Sequence, residues 1–196
     1  MKKFILLSLL FSVSFLATAQ KKNLELTAYG GWNTYSKQGS KAYEHSYKGT
    51  FGVGFQAKYY IKDHIFWATD LYGGVNDDTE HTLQVPAKVL LSQYRKDFSL
   101  ATGVGVNLYT TDRINGYLQL QGGVGTATGT WSMYISESEG VKTYPLNHTS
   151  FIISPAVGID FKLADHWKLG LGYAYRYLHD LDGNHSLALR ATYVID

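Results

Sequence analysis

Three groups of side chains in this sequence have types and spacings that chemistry uses. In His179-Asp180-Leu181-Asp182-Gly183-Asn184-His185, the oxygens of Asp180, Asp182 and Asn184 match the first ligands of a calcium loop. The glycine such a loop needs at its sixth position is His185, however, and its closing glutamate is Ala191. Asp, Gly and Asn are also what a surface hairpin turn requires, and a turn is the better account. His148 and Ser150, flanking Thr149, pair an imidazole with a hydroxyl, the minimum for nucleophilic catalysis. Asp77, Asp78, Glu80 and His81 gather carboxylates near another imidazole. The seven histidines show no nucleophile–base spacing that a third group would orient. No catalytic residue, metal ligand or cofactor is assigned.

The elements that must carry these residues are strands. From Trp167 to Leu178 every second residue is large and apolar: Trp167, Leu169, Leu171, Tyr173, Tyr175 and Tyr177. The alternation resumes after the turn with Leu187, Leu189, Ala191, Tyr193 and Ile195. Period two, twice, joined by a turn, predicts a long β-hairpin. Strands of roughly 10–11 residues suit a tilted crossing of a bilayer, whereas soluble strands run nearer 5–6. Six more candidates lie upstream: Leu24–Thr34, Thr50–Lys62, Phe66–Asn76, Phe98–Thr110, Asn115–Thr128 and Phe151–Leu163. Short connections at Asp63, Asp112 and Asp165 alternate with polar loops, Ser36–Lys48, Asp77–Lys96 and Thr130–His148. Val53-Gly54-Phe55, Val104-Gly105-Val106 and Val157-Gly158-Ile159 each lead into an Asp turn, a repeat of about fifty residues. The expected fold is all-β: an eight-stranded antiparallel up-and-down barrel with one quiet end and one elaborate end.

The first residues read as an address. Lys2 and Lys3 precede an apolar run from Phe4 to Leu16, and Ala17-Thr18-Ala19 supplies a cleavage site before Gln20. Residues 1–19 are therefore expected to be a signal peptide and 20–196 one barrel domain. Lys2 and Lys3 account for the whole formal charge of +2, so no basic excess argues for nucleic acid. The chain has no cysteine, which excludes disulfides and thiolate metal sites.

Alternation alone does not say whether the apolar face looks inward, as in a soluble lipocalin-like binder, or outward into lipid. Two features favour lipid. The less apolar face is rich in glycine, at positions including 52, 54, 103, 105, 123 and 125. A solvated strand face would carry Thr, Lys and Glu instead. Inside a narrow barrel glycine makes room for Tyr60, Tyr72, Tyr109, Arg176 and Arg190. Aromatic residues of the apolar face also sort toward strand ends. Tyr59, Trp67, Phe161, Trp167 and Tyr193 lie near the short turns, and Trp32, Phe51, Tyr175 and Tyr177 near the long loops, as two interfacial girdles.

The inward face then carries Glu25, Lys58, Asp70, Asp160, Lys162, Lys168, Arg176 and Arg190, five positive and three negative charges. Buried charges persist when paired. A three-residue turn Asp63-His64-Ile65 would set Lys58 opposite Asp70, and Asp160 is expected between Lys162 and Lys168. The lumen is expected to be plugged by these side chains. The alternatives are a narrow diffusion pore, a lipid-modifying barrel enzyme and the soluble binder.

With its signal, eight strands, Asp turns and long loops, the chain resembles the small outer-membrane β-barrels. Nearest are the OmpX-like proteins, the barrel domain of OmpA and the porin-family barrels common in Bacteroidota. The resemblance implies an outer-membrane location, a non-enzymatic structural or surface role, a monomer, and contact with outer-membrane lipid and lipopolysaccharide. Tyr43, Tyr47, Tyr94, Trp131, Tyr134 and Tyr144 gather in the loops, where aromatic residues with polar tips suit a macromolecular partner or equally extend the barrel wall beyond the membrane. Two departures stand out. Many barrels end on an aromatic residue, whereas this chain ends Tyr193-Val194-Ile195-Asp196. Pro155 removes a ladder donor in a strand without a free edge, so a bulge is expected there. His148-Thr149-Ser150 is similar to the His-x-Ser pair of lipid A deacylases, which faces lipid. Here its parity places it inside with Ser154 and Asp160. Asp77, Asp78, Glu80 and His81 are weakly similar to barrel proteases.

Overall fold

The computed structural model describes residues 24–35, 50–78, 89–136, 138–179 and 183–195. Eight strands follow one another around a closed antiparallel ring: β1 (Leu24–Tyr35), β2 (Thr50–Lys62), β3 (Ile65–Asp78), β4 (Val89–Thr110), β5 (Ile114–Ser136), β6 (Gly140–Lys162), β7 (Trp167–Leu178) and β8 (Asn184–Ile195). The first and last strands close the ring from Leu24↔Ile195 to Tyr35↔Asn184. Closure satisfies every strand on both sides and removes the edges that would otherwise recruit other chains. The all-β barrel expected from periodicity is the fold formed.

The apolar face looks out. On β8, Leu189 is 71% exposed while its neighbour Arg190 is 6% exposed. Buried positions hold tyrosines, amides and charges, an inversion of a soluble protein's plan. Tyr59, Trp67, Phe161, Trp167 and Tyr193 stand on the outer face toward the short turns, and Trp32, Phe51, Tyr175 and Tyr177 toward the other end. Trp167 meets Tyr193 edge-on, with ring centroids 5.1 Å apart.

Three expectations about connections fail for physical reasons. The first turn is shorter than expected. Lys62 pairs with Ile65 across Asp63-His64, and a bulge at Ile61 then sets Tyr60 against Phe66. Lys58 therefore faces Ala68, and Asp70 faces Gln56. A second bulge, between Asn107 and Tyr109, turns Tyr109 out of the lumen to 59% exposure. Pro155 causes no bulge, because β5 passes it in register at Leu120↔Pro155. Its missing donor falls on the other side. The Phe151 carbonyl accepts from the His179 N–H at 3.1 Å, so odd-numbered β6 residues turn their backbone groups to β7. There the pairing stops at Ile153↔Tyr177 and resumes at Ala156↔Ala174.

The wall is also taller than expected on one side. Much of 130–148, expected as a loop, continues β5 and β6 in register through Thr128↔Asn147 and Ser132↔Thr143. Each strand reaches 23 residues. On β4 the ladder begins at Val89 rather than Phe98. The loop 36–49 and the segment 79–88 lie outside the described residues.

Candidate functional site

Inward parity on eight strands delivers the polar side chains to one axis, and the narrow ring forces them across it. They meet at four levels. Nearest the short turns, Thr110 Oγ1 donates to Asn115 Oδ1 at 3.0 Å, and Asn115 Nδ2 to Asn107 Oδ1 at 3.2 Å. Asn107 Nδ2 donates to the Tyr60 hydroxyl at 3.3 Å, and Tyr60 donates to Glu25 Oε1 at 3.2 Å. Lys168 Nζ closes this floor on the same Glu25 oxygen at 2.6 Å.

The second level is ionic. Asp160 lies 3.8 Å from Lys58 Nζ and 3.5 Å from Arg190 Nε. The Lys58 ammonium sits 3.4 Å from the centre of the Tyr117 ring, and Arg190 Nη2 donates to Gln56 Oε1 at 2.8 Å. A cation over an aromatic face recovers part of what desolvation costs it. At the third level the Tyr29 hydroxyl donates to Asp70 at 2.8 Å, and Arg176 Nη2 donates to Tyr29 at 3.0 Å. Arg176 also lies 3.5 Å from Asp70 and 3.9 Å from the Tyr72 ring. At the fourth, Asn184 Nδ2 donates to Tyr72 at 3.0 Å and Arg95 pairs with Asp97 at 2.6 Å.

Seven of the eight expected lumen charges meet here, with partners other than those their neighbours in sequence suggested. Lys58 pairs with Asp160 rather than Asp70, which pairs with Arg176. Asp160 does not sit between Lys162 and Lys168. Those two lysines oppose each other, Lys168 crosses to Glu25, and Lys162 turns outward to exposed Asp165 at 3.2 Å. Sequence reasoning did not single out Gln56, Asn107, Asn115, Tyr117 or Arg95. Inward parity was their only signal, and for Arg95 a polar stretch concealed even that.

Glycine allows this filling. A Cβ on Gly54 would stand 2.3 Å from the Tyr29 ring, and one on Gly105 2.2 Å from that of Phe66. Among the described residues, voids of about 20 Å³ lie between the levels, each room for roughly one water. A vestibule of about 600 Å³ opens among the short turns, lined by Lys62 and Arg113, and reaches Glu25 of the floor and Asp160 of the second level.

His148 and Ser150 do not form a catalytic pair. His148 Nε2 lies 3.0 Å from the His179 carbonyl oxygen and Ser150 Oγ donates to the same oxygen at 2.9 Å, so neither engages the other. Asn184 of the calcium-like segment belongs to the lumen network; Asp180, Asp182, Glu80 and His81 lie outside the described residues. Among the described residues no group of three His, Cys, Asp or Glu is placed to hold a metal.

Comparison with known proteins agrees with this architecture. The solved structure of Neisserial surface protein A is similar with a TM-score of 0.61 at 14% identity, covering 88% of this chain and 99% of that one. Ail, the attachment invasion locus protein of Yersinia pestis, is similar with a TM-score of 0.58 at 14% identity, covering 90% and 100%. At such identity the likeness concerns the fold. No curated protein sequence matches the chain. The family model described as outer membrane protein beta-barrel domain matches residues 4–194. Closed ring, inverted faces and this match agree: the chain belongs to the outer membrane protein β-barrel domain family, whose place is the outer membrane.

Proposed function

We propose that this barrel neither conducts nor catalyses, and that it serves as a structural and surface-interaction protein of the cell envelope. The supporting observation is the lumen, crossed at four levels by hydrogen bonds and ion pairs, with voids of about 20 Å³ between them. A non-catalytic reading also suits His148 and Ser150, whose Nε2 and Oγ both meet the His179 carbonyl. In this reading residues 1–19 are a signal peptide removed on export. Reconstitution into planar bilayers tests it. The wild-type barrel should give no stable unitary current, whereas reproducible single-channel steps would install the diffusion pore in its place.

The Asp63, Asp112 and Asp165 turns face the periplasm in this proposal, and the long connections with the β5–β6 hairpin face outside, as in other outer-membrane barrels. Protease added to intact cells should then cut within 36–48, 79–88 or the hairpin tip at Ser138–Gly140. Cleavage confined to the three Asp turns would reverse the orientation.

A further inference from the structure

The apolar belt on the outside of the barrel has no counterpart within its turn end, where the vestibule of about 600 Å³ opens. Cavities that hold small molecules run to about 300–1,000 Å³ and are mostly apolar. This one has the size without the lining. Among the described residues around it, only Ile114 and Val194 are aliphatic. Its walls suit a polar, charged occupant and offer an acyl chain nothing.

The charges fall into two sets. Those at the inner end are matched, since Lys168 Nζ lies 2.6 Å from Glu25 and Asp160 stands near Lys58 and Arg190. Those at the mouth are not. Among the described residues, the side chains of Lys62, Asp63, Asp112 and Arg113 enter no ion pair or hydrogen bond. Lys162 has Asp165 at 3.2 Å, but that acid is 91% exposed, and a pair at an exposed rim holds its partners weakly.

The backbone under these groups is tied down. The Lys162 N–H donates to the Arg113 carbonyl at 2.8 Å, and the Asn107 N–H to the His64 carbonyl at 2.8 Å. The Thr111 hydroxyl accepts from the Ile114 N–H at 3.0 Å. A ligand meeting a mouth so fixed has little chain to order.

The first of those bonds sets Arg113 beside Lys162, and Lys162 opposes Lys168 directly across β6 and β7. Like charges so placed repel, and only Lys168 has a buried counter-charge. An anion between Arg113 and Lys162 relieves that repulsion. Asp112 adjoins Arg113, so the free carboxylate away from this side is Asp63, in the turn between β2 and β3. The floor adds amides. Asn107 and Asn115 each use one of two side-chain N–H groups, on Tyr60 and on Asn107, and keep the other. An anion at one end, an ammonium at the other and carbonyls between them describe a short peptide.

We propose that the vestibule binds a short peptide with free ends, its carboxylate on Arg113 and Lys162, its ammonium on Asp63 and its carbonyls toward the floor asparagines. That such a peptide comes from the periplasm rests on the orientation proposed above; the binding itself does not.

The test titrates trialanine into the full chain folded in detergent micelles and reads the heat of binding. Trialanine should bind at millimolar concentration, one per barrel, and more weakly as salt rises. Trialanine acetylated at its amine and amidated at its carboxyl should not bind. Arg113→Gln/Lys162→Gln should weaken trialanine about tenfold, the usual effect of losing a hydrogen bond to a charged group. Asp63→Asn should weaken trialanine but not its N-acetylated form. Lys142→Gln, which alters an exposed pair in the β5–β6 hairpin, should change nothing. Should the double variant give no compact band on unboiled gels, the doubly capped peptide decides alone. No heat from trialanine, equal binding of the doubly capped peptide, or full affinity in a folded double variant overturns the proposal. Micelles leave both ends of the barrel open, so this result stands apart from the orientation that proteolysis of intact cells reads.

Discussion

Asp160→Ala is expected to destabilise the folded barrel by about 3–5 kcal/mol, the usual cost of stranding a buried charge. The carboxylate is 1% exposed, and its two neighbours, Lys58 at 3.8 Å and Arg190 at 3.5 Å, are buried too. Removing it leaves two cations facing each other in a medium where Coulomb repulsion is weakly screened. Asp165→Ala provides the comparison, because its pair with Lys162 lies at the exposed rim and is worth about 0–1 kcal/mol. Urea unfolding of the barrel in lipid vesicles measures both. Adding Lys58→Met to Asp160→Ala should recover much of the loss, since it removes a cation along with its counter-charge. Equal losses for Asp160→Ala and Asp165→Ala would show that the second level of the lumen does not hold the barrel.

Gly123→Val is expected to prevent the barrel from forming. A Cβ there would lie 2.0 Å from the Leu100 carbonyl oxygen and 2.6 Å from the Ala101 Cα, both on the backbone of the adjoining strand. No rotamer relieves the clash, because the backbone alone fixes a Cβ, so β4 and β5 would have to separate. Gly105 is crowded differently, chiefly by the Phe66 ring at 2.2 Å, which is a side chain, and less closely by the Gln119 Cβ at 2.9 Å. Gly105→Ala should therefore weaken the barrel and be rescued in part by Phe66→Ala, whereas no side-chain deletion should rescue Gly123→Val. At Gly116 the nearest atom would be 3.8 Å away, so Gly116→Ala should fold as the wild type does. The yield of heat-modifiable band after refolding reports all of these. A normal yield from Gly123→Val would mean that neighbouring strands part at little cost.

The alternation made the strands legible, and the position of glycine and aromatic residues made the faces legible. Offset was less so. Moving the β2–β3 register by two residues keeps Lys58 and Asp70 inside while giving each a new partner. One bulged residue at Ile61 decides this, and nothing in its type announces it. The cross-lumen pairs were invisible for another reason. Lys168 and Glu25, or Arg190 and Gln56, belong to strands that meet only through the closed ring. The upper parts of β4, β5 and β6 were missed because alternation records a difference between two environments. Above the belt Thr128 and Asn147 face a polar layer, so the sawtooth fades while the ladder continues.

Pro155 gives the cylinder a direction. Paired β6–β7 residues run on both sides of it, but Ser154 and Pro155 have no partners across that line, while the β5 side is paired without interruption. A tube stitched evenly resists squeezing equally from every quarter; one with a gap in a single seam flattens first along that seam. Lateral pressure from a stiffening bilayer should thus bow the wall between β6 and β7. The cross-section would turn from round to oval there, and the protein would breathe in one plane.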